Sequence, residues 1–250
     1  MAPTWDEYAT RWSGLHGGFD PRTGSPLVRG WLRLAYRLAR LLARLGVTPA
    51  LVTALGLLLC ALVPVTARLG PAGALAGAGL VVLATVADSA DGAVAIVTNR
   101  VTRLGYVYDS VADRLGEICW LVALWLLGAP AWLVVAAGGL AWLHEYLRAR
   151  ATAAGMREVG AVTVAERPTR AIVIVFGLTL AGLAGLVSHE LVVGTATLAG
   201  AIWLLLGVIG LGQLLVAVHR ALRHGTRGAG LAAGRADPLR DDPGGQGHHR

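Results

Sequence analysis

The sequence predicts an all-α polytopic membrane protein, with six transmembrane helices preceded by an amphipathic interfacial helix. Three observations carry that expectation. The chain of 250 residues is 55% hydrophobic and 15% charged, with a mean hydropathy of +0.61, too apolar for a soluble domain of this size. Six apolar stretches are each long enough to cross a bilayer, which needs about 20 helical residues. The basic residues, all 22 of them arginines, fall almost entirely on one side of those stretches. Together with 15 acids they give a net charge of +7, which suits anionic lipid headgroups or nucleic acid. The apolar content selects lipid, and no nucleic-acid partner is expected.

Residues 1–46 form an N-terminal interfacial segment. Its first residues, 1–11, are polar and partly acidic, without the basic-then-apolar pattern of a cleaved signal peptide. Trp5, Tyr8, Trp12 and Phe19 are candidate interfacial anchors around an irregular stretch at 16–26. From 27 to 45, Leu27, Trp31, Leu34, Leu38, Leu41 and Leu45 recur at helical spacing among Arg29, Arg33, Arg37, Arg40 and Arg44, the pattern of a helix lying on a membrane surface.

The membrane domain, 47–219, holds the six expected spans at 49–69, 72–97, 105–127, 131–154, 169–187 and 191–218. The third and fourth have short apolar cores, and their other halves carry Asp109, Asp113, Arg114, Glu117, His144, Glu145, Arg148 and Arg150. Such halves must face protein or water, because a charge at the bilayer centre costs about 2.5–3.5 kcal/mol even on the lenient insertion scale. Cys60 and Cys119 lie in separate apolar segments without metal-ligand spacing and read as small core residues. Twenty-one arginines precede the first span, lie near the links between spans two and three or four and five, or follow span six; Arg68 alone lies opposite. The positive-inside tendency puts both termini and those links in the cytoplasm, with the protein in the plasma (inner) membrane. Residues 220–250 lack periodicity and read as a disordered cytoplasmic tail.

Chemistry concentrates where span two ends and span three begins, in DSADGAVAIVTNRVTRLGYVYDSVAD from Asp88 to Asp113. Asp88 and Asp91 are three apart, Asp109 and Asp113 four apart. Both spacings place side chains on one helix face. Antiparallel packing brings the pairs together, and four carboxylates in one place repel unless divalent cations neutralise them. Hard oxygen ligands suit Mg²⁺ or Mn²⁺, in a two-ion centre. A solvated acidic helix tip is the bland alternative. It is disfavoured because Asp88 and Asp91 follow 16 uncharged residues, 72–87, and so begin near the membrane. Gly92 and Gly105 remove side chains where a helix or a bound nucleotide approaches closely.

The stretch resembles the signature of the CDP-alcohol phosphatidyltransferase family, D-x2-D-G-x2-A-R-x8-G-x3-D-x3-D. Asp88, Asp91, Gly92, Ala95, Gly105, Asp109 and Asp113 match it, and Ile96 stands where the family has arginine. Arg100, one helical turn later, is the nearest substitute. A Pro-Asn-x-x-Thr start to the first span appears here as Pro49, Ala50, Leu51, Val52 and Thr53, with the asparagine lost. The resemblance implies a membrane transferase of phospholipid biosynthesis that moves a phosphatidyl group from a CDP-lipid, CDP-diacylglycerol foremost, to an alcohol and releases CMP. It implies Asp88, Asp91 and Asp109 as metal ligands and Asp113 as general base and second-metal ligand. Gly92, Ala95 and Gly105 would then line the donor pocket, and the protein would pair as a homodimer.

The link between spans four and five, 144–170, contains Arg148, Arg150, Arg157, Arg167 and Arg170. The Y-x-R-A-R-A run from Tyr146 and the Glu166-Arg167-x-x-Arg170 run are similar to segments of the bacterial branch that makes phosphatidylinositol phosphate. That similarity nominates Arg148, Arg167 and Arg170, with Arg150 as helper, to grip a phosphate on the acceptor, inositol phosphate or glycerol 3-phosphate. Arginine suits that task through its planar two-pronged donor set. Ordinary positive-inside charge is the competing account of each arginine. For the whole chain, the competing readings are an inactive CDP-lipid-binding homologue, supported by Ile96 and Ala50, and a small cation-coupled transporter, which would place acids at the midplane.

Overall fold

The computed structural model describes residues 3–156 and 163–233, which form eight helices and no strand. α1 (Trp5–Leu15) opens on a capping box, in which Thr4 Oγ1 accepts from Glu7 N and Glu7 Oε2 accepts from Thr4 N. α2 (Pro26–Arg44) is capped by Ser25 with proline at its start. Its Ala35, Tyr36 and Ala39 are buried in a cluster with Tyr8 of α1 and with residues 90–97. The opposite stripe stays uncovered, with Leu27, Leu34, Leu41 and Leu45 between 50% and 84% exposed.

Six longer helices follow: α3 (Pro49–Ala67), α4 (Gly70–Val97), α5 (Arg103–Leu126), α6 (Ala131–Ala153), α7 (Arg167–Ala184) and α8 (His189–Ala233). The expected span bounds agree with them to within a few residues except at the last. The tail that the sequence places from residue 220 onward begins as helix, since α8 continues to Ala233; residues 234–250 lie outside the described ones, as does Arg157.

Among the described residues, four helical segments are long and apolar enough to cross a membrane: Pro49–Ala67, Gly70–Val97, Arg167–Ala184 and His189–Arg223. α5 and α6 fall short in composition rather than length. With 24 and 23 residues they reach about 36 and 34 Å at the helical rise. Their charges are largely turned on protein: Arg114 of α5 meets Glu145 of α6 at 2.9 Å and Glu117 of its own helix at 3.3 Å.

α3 packs against α4 and α5, α4 against α7, and α8 against α6 and α7. Their shared core contains Val63, Val81, Leu124, Ile174 and Leu178, with Trp120 and Trp203 edge-to-face at 6.5 Å. Lipid is as apolar as leucine, so association of such helices depends on close packing and internal polar contacts. Small residues supply the closeness. A Cβ on Gly116 would come within 2.9 Å of Cys60 Sγ, so α5 lies tight on α3 and Cys60 fills the core as the sequence suggests. Cys119 is half-buried and also unpaired.

Candidate active site

The aspartates sit at the ends of helices that α3 holds together. Asp88 and Asp91 are in the last turns of α4, which closes on Asn99 in the left-handed region (φ 56°), with Arg100 N donating to Ala95 O at 2.8 Å. Asp109 and Asp113 are in the first turns of α5, whose start is capped by Thr102 accepting from Gly105 N. One oxygen from each of Asp88, Asp109 and Asp113 lies within 4.8 Å of the others. Asp91 stands apart from that trio. It is 6% exposed and accepts a 2.6 Å hydrogen bond from Thr53 Oγ1 of α3.

The donor set fits a divalent cation. It consists of carboxylate oxygens alone, which hard cations prefer, and Asp109 Oδ1 is buried without a hydrogen-bond partner. A buried acceptor of that kind is costly unless a donor or cation meets it.

Arginines close the site on the α7 side. The Arg167 guanidinium, at the first position of α7, contacts Asp88 and lies 2.9 Å from Asp113 Oδ1, over the Trp120 ring at 5.7 Å. Of the three arginines nominated for an acceptor phosphate, Arg167 alone is paired with the aspartates. Arg148 pairs with Glu166, which also accepts from Thr163 N and Oγ1, and Thr163 Oγ1 lies 3.0 Å from buried His144 Nε2. Arg170 is 2% exposed and held between Glu117, at 3.3 Å, and Glu145, at 3.2 Å. Arg150 is exposed.

Sequence reasoning gave Arg114, Glu117 and Glu145 no part in the site. The hint of them was that charges in α5 and α6 must face protein or water, and the structure makes Glu117 and Glu145 the partners of both Arg114 and Arg170 beside the aspartates.

A cavity of about 900 Å³ opens beside the acids, within the range of small-ligand sites. All four aspartates line it, as do Gly92, Ala95, Gly105, Arg100 and Arg167. A Cβ on Gly92 would meet nothing within 4 Å, so this glycine leaves room in the cavity rather than making a helix contact. Gly105 has a local reason as well: a Cβ there would press on its capping Thr102 at 3.0 Å. Ile96 also lines the cavity but is 4% exposed and joins the apolar cluster between α1, α2 and α4. Its position is spent on packing.

A sequence profile of CDP-alcohol phosphatidyltransferases matches residues 46–218. The chain belongs to the CDP-alcohol phosphatidyltransferase family. Within that family it is 34% identical over 231 residues to the phosphatidylinositol phosphate synthase of Mycobacterium marinum, covering 87% of this chain and 91% of the relative. The fold matches crystal structures of the Mycobacterium tuberculosis phosphatidylinositol phosphate synthase. With CDP-DAG bound, the TM-score is 0.56 at 25% identity, over 73% of this chain and 94% of that one. In complex with manganese and citrate, it is 0.59 at 27% identity, over 74% and 88%. The CDP-alcohol phosphatidyltransferases are thus matched in sequence, in fold and in an aspartate cluster able to hold metal.

Proposed function

We propose that this protein transfers the phosphatidyl group of CDP-diacylglycerol to a hydroxyl of inositol phosphate, releasing CMP, at the cytoplasmic face of the plasma membrane. The observation that carries the reading is the convergence of Asp88, Asp109 and Asp113 beside a 900 Å³ cavity, with Arg167 against two of them. Inositol phosphate is preferred to glycerol 3-phosphate because the relative and the structural neighbours cited above are phosphatidylinositol phosphate synthases.

In this reading Asp88, Asp91, Asp109 and Asp113 hold two Mg²⁺ or Mn²⁺ ions. Held by these carboxylates, such ions would supply positive charge to offset that of the pyrophosphate and the leaving CMP. Gly92, Ala95 and Gly105 line the donor pocket, and the bare Gly92 leaves space for the nucleotide. Asp113 takes the proton from the acceptor hydroxyl. The freed oxygen forms a bond to the lipid-side phosphorus while the bond from that phosphorus to the bridging oxygen breaks, and CMP carries the electron pair away. Arg167 meets the acceptor phosphate next to the reacting atoms. Arg148 borders the same link, and Arg170 acts from behind, through its buried carboxylate partners.

The membrane placement belongs to the same proposal. α5 and α6 complete a set of six spans, supported by their length and by the pairing of their charges inside the protein. The exposed leucine stripe of α2 is a face for lipid, and the arginine distribution supports cytoplasmic termini. Residues 47–219 form the catalytic membrane domain, and the family resemblance supports a homodimer.

The test is CMP release by the purified protein in detergent with CDP-diacylglycerol and Mg²⁺ or Mn²⁺, offering inositol phosphate, glycerol 3-phosphate, inositol and serine separately. Release with inositol phosphate that disappears in Asp113→Asn is expected. Release with another acceptor alone rejects the acceptor assignment, and none with any acceptor from folded protein rejects the activity.

A further inference from the structure

The family match begins at residue 46, after α1 and α2, yet α1 forms part of the cavity wall through Trp12, Leu15 and His16. α1 is fixed there firmly. Tyr8 and Ala9 are 1% and 0% exposed. Trp5, Tyr8 and Tyr36 form an aromatic cluster with centroids 5.1–5.7 Å apart. Tyr36 Oη donates to Pro3 O at 2.8 Å, and Arg33 lies over the Trp5 ring. Such anchoring holds the last turn of α1 in a defined place.

That last turn carries a built aromatic stack. The Trp12 and His16 rings are 3.8 Å apart and 7° from parallel, with Phe19 edge-on to Trp12 at 6.0 Å. His16 Nδ1 lies 2.8 Å from the Trp12 carbonyl oxygen. A carbonyl only accepts, so Nδ1 bears the hydrogen. The residue as a whole is exposed, but its ring is covered on one face by the indole, and this burial lowers the His16 pKa. In the neutral ring Nε2 is therefore a hydrogen-bond acceptor.

The requirements of the donor's nucleotide complement this wall. With the pyrophosphate at the aspartates, a flat base attached to it must be seated elsewhere in the same cavity. The α1 wall contains no carboxylate, and it offers a ring face and one fixed acceptor. Cytosine presents an amino group, a donor, where uracil presents a carbonyl.

We infer that α1 supplies the base-recognition wall of the donor site, with the edge of the His16 ring accepting from the cytosine's exocyclic amine through Nε2, and with Trp12 backing the His16 ring. The assignment rests on the CDP-lipid reading above and extends it to a segment outside the family match. It makes His16 and Trp12 determinants of donor specificity rather than membrane anchors.

The test is competitive inhibition of the transferase by CMP and UMP, which carry no acyl chain, alongside KM for CDP-diacylglycerol. His16→Ala should weaken CMP about tenfold, remove the preference for CMP over UMP and leave kcat within about twofold. His16→Phe keeps the ring that stacks on Trp12 but lacks the acceptor, so it should lose the preference as His16→Ala does. Trp12→Leu should weaken CMP severalfold. Wild-type preference for CMP that persists in His16→Ala and His16→Phe overturns the inference and leaves the transferase reading intact. Variants that raise KM for CDP-diacylglycerol without changing CMP or UMP inhibition assign the wall to the lipid and also overturn it. No CMP inhibition of the wild type, with no transferase activity, overturns both.

Discussion

Glu117 and Arg170 are each 2% exposed and lie 3.3 Å apart between α5 and α7. Glu117→Gln keeps the shape and removes the charge, leaving a buried guanidinium with one remaining carboxylate, Glu145, at 3.2 Å and 31% exposed. Removing one member of a buried pair typically costs 3–5 kcal/mol. The surviving Glu145 contact puts this case near the lower end, at about 3 kcal/mol, or about 6–12 °C in Tm for a chain of this size. Thermal unfolding in detergent, followed by tryptophan fluorescence, measures it. Arg170→Met should cost a similar amount, and the double variant Glu117→Gln/Arg170→Met should be more stable than either single change, because no charge is then buried alone. Single variants within about 1 kcal/mol of the wild type, or a double variant that loses the sum of both, would refute the pairing argument. If Arg170→Lys raised KM for the acceptor and left Tm unchanged, Arg170 would be a phosphate ligand after all.

Two further outcomes follow from the cavity and its acids. Gly92→Ala adds a methyl group with nothing within 4 Å, so stability should hold or rise by up to about 1 kcal/mol, while KM for CDP-diacylglycerol rises roughly tenfold; steady-state kinetics and a melt on one preparation separate the two effects. Thr53→Val removes the 2.6 Å donor to Asp91 and should cost about 1.5–3 kcal/mol of stability together with metal affinity, read as a higher Mn²⁺ concentration for half-maximal activity. Thr53→Ser should restore both.

The helices were legible because apolar runs of bilayer length leave few alternatives, and the ends of α4 and α5 were legible from acids at three- and four-residue spacing. The same spacing could not say how the two pairs meet. It put four carboxylates in one cluster, whereas the structure gathers Asp88, Asp109 and Asp113 and turns Asp91 toward Thr53. The arginine link was the least legible part. A run of arginines near a phosphate-handling site looks the same whether each faces ligand or protein, and only the fold places Arg170 between Glu117 and Glu145 and Arg148 on Glu166. The aromatic residues of α1 read as membrane anchors because nothing in 5–19 reveals that Tyr8 will be buried on Tyr36 or that His16 will line the cavity.

The location of the ionic network has its own logic. Asp113 and Glu117 are one helical turn apart on α5, and Arg167 and Arg170 are one turn apart on α7. The outer rung, Asp113 with Arg167, opens on the cavity; the inner rung, Glu117 with Arg170, is sealed. Glu145 braces the inner rung from α6 and reaches Arg114, which touches Asp113 at 3.8 Å. In the proposed mechanism Asp113 takes a proton at a defined point, and a carboxylate with that task cannot sit on a helix that slides or rotates against its neighbours. Lipid supplies no hydrophobic pressure to prevent such motion, and a buried pair loses several kcal/mol when its partners separate. The inner rung therefore fixes the register of α5 against α7. The outer rung inherits that register while its groups stay free to meet substrate.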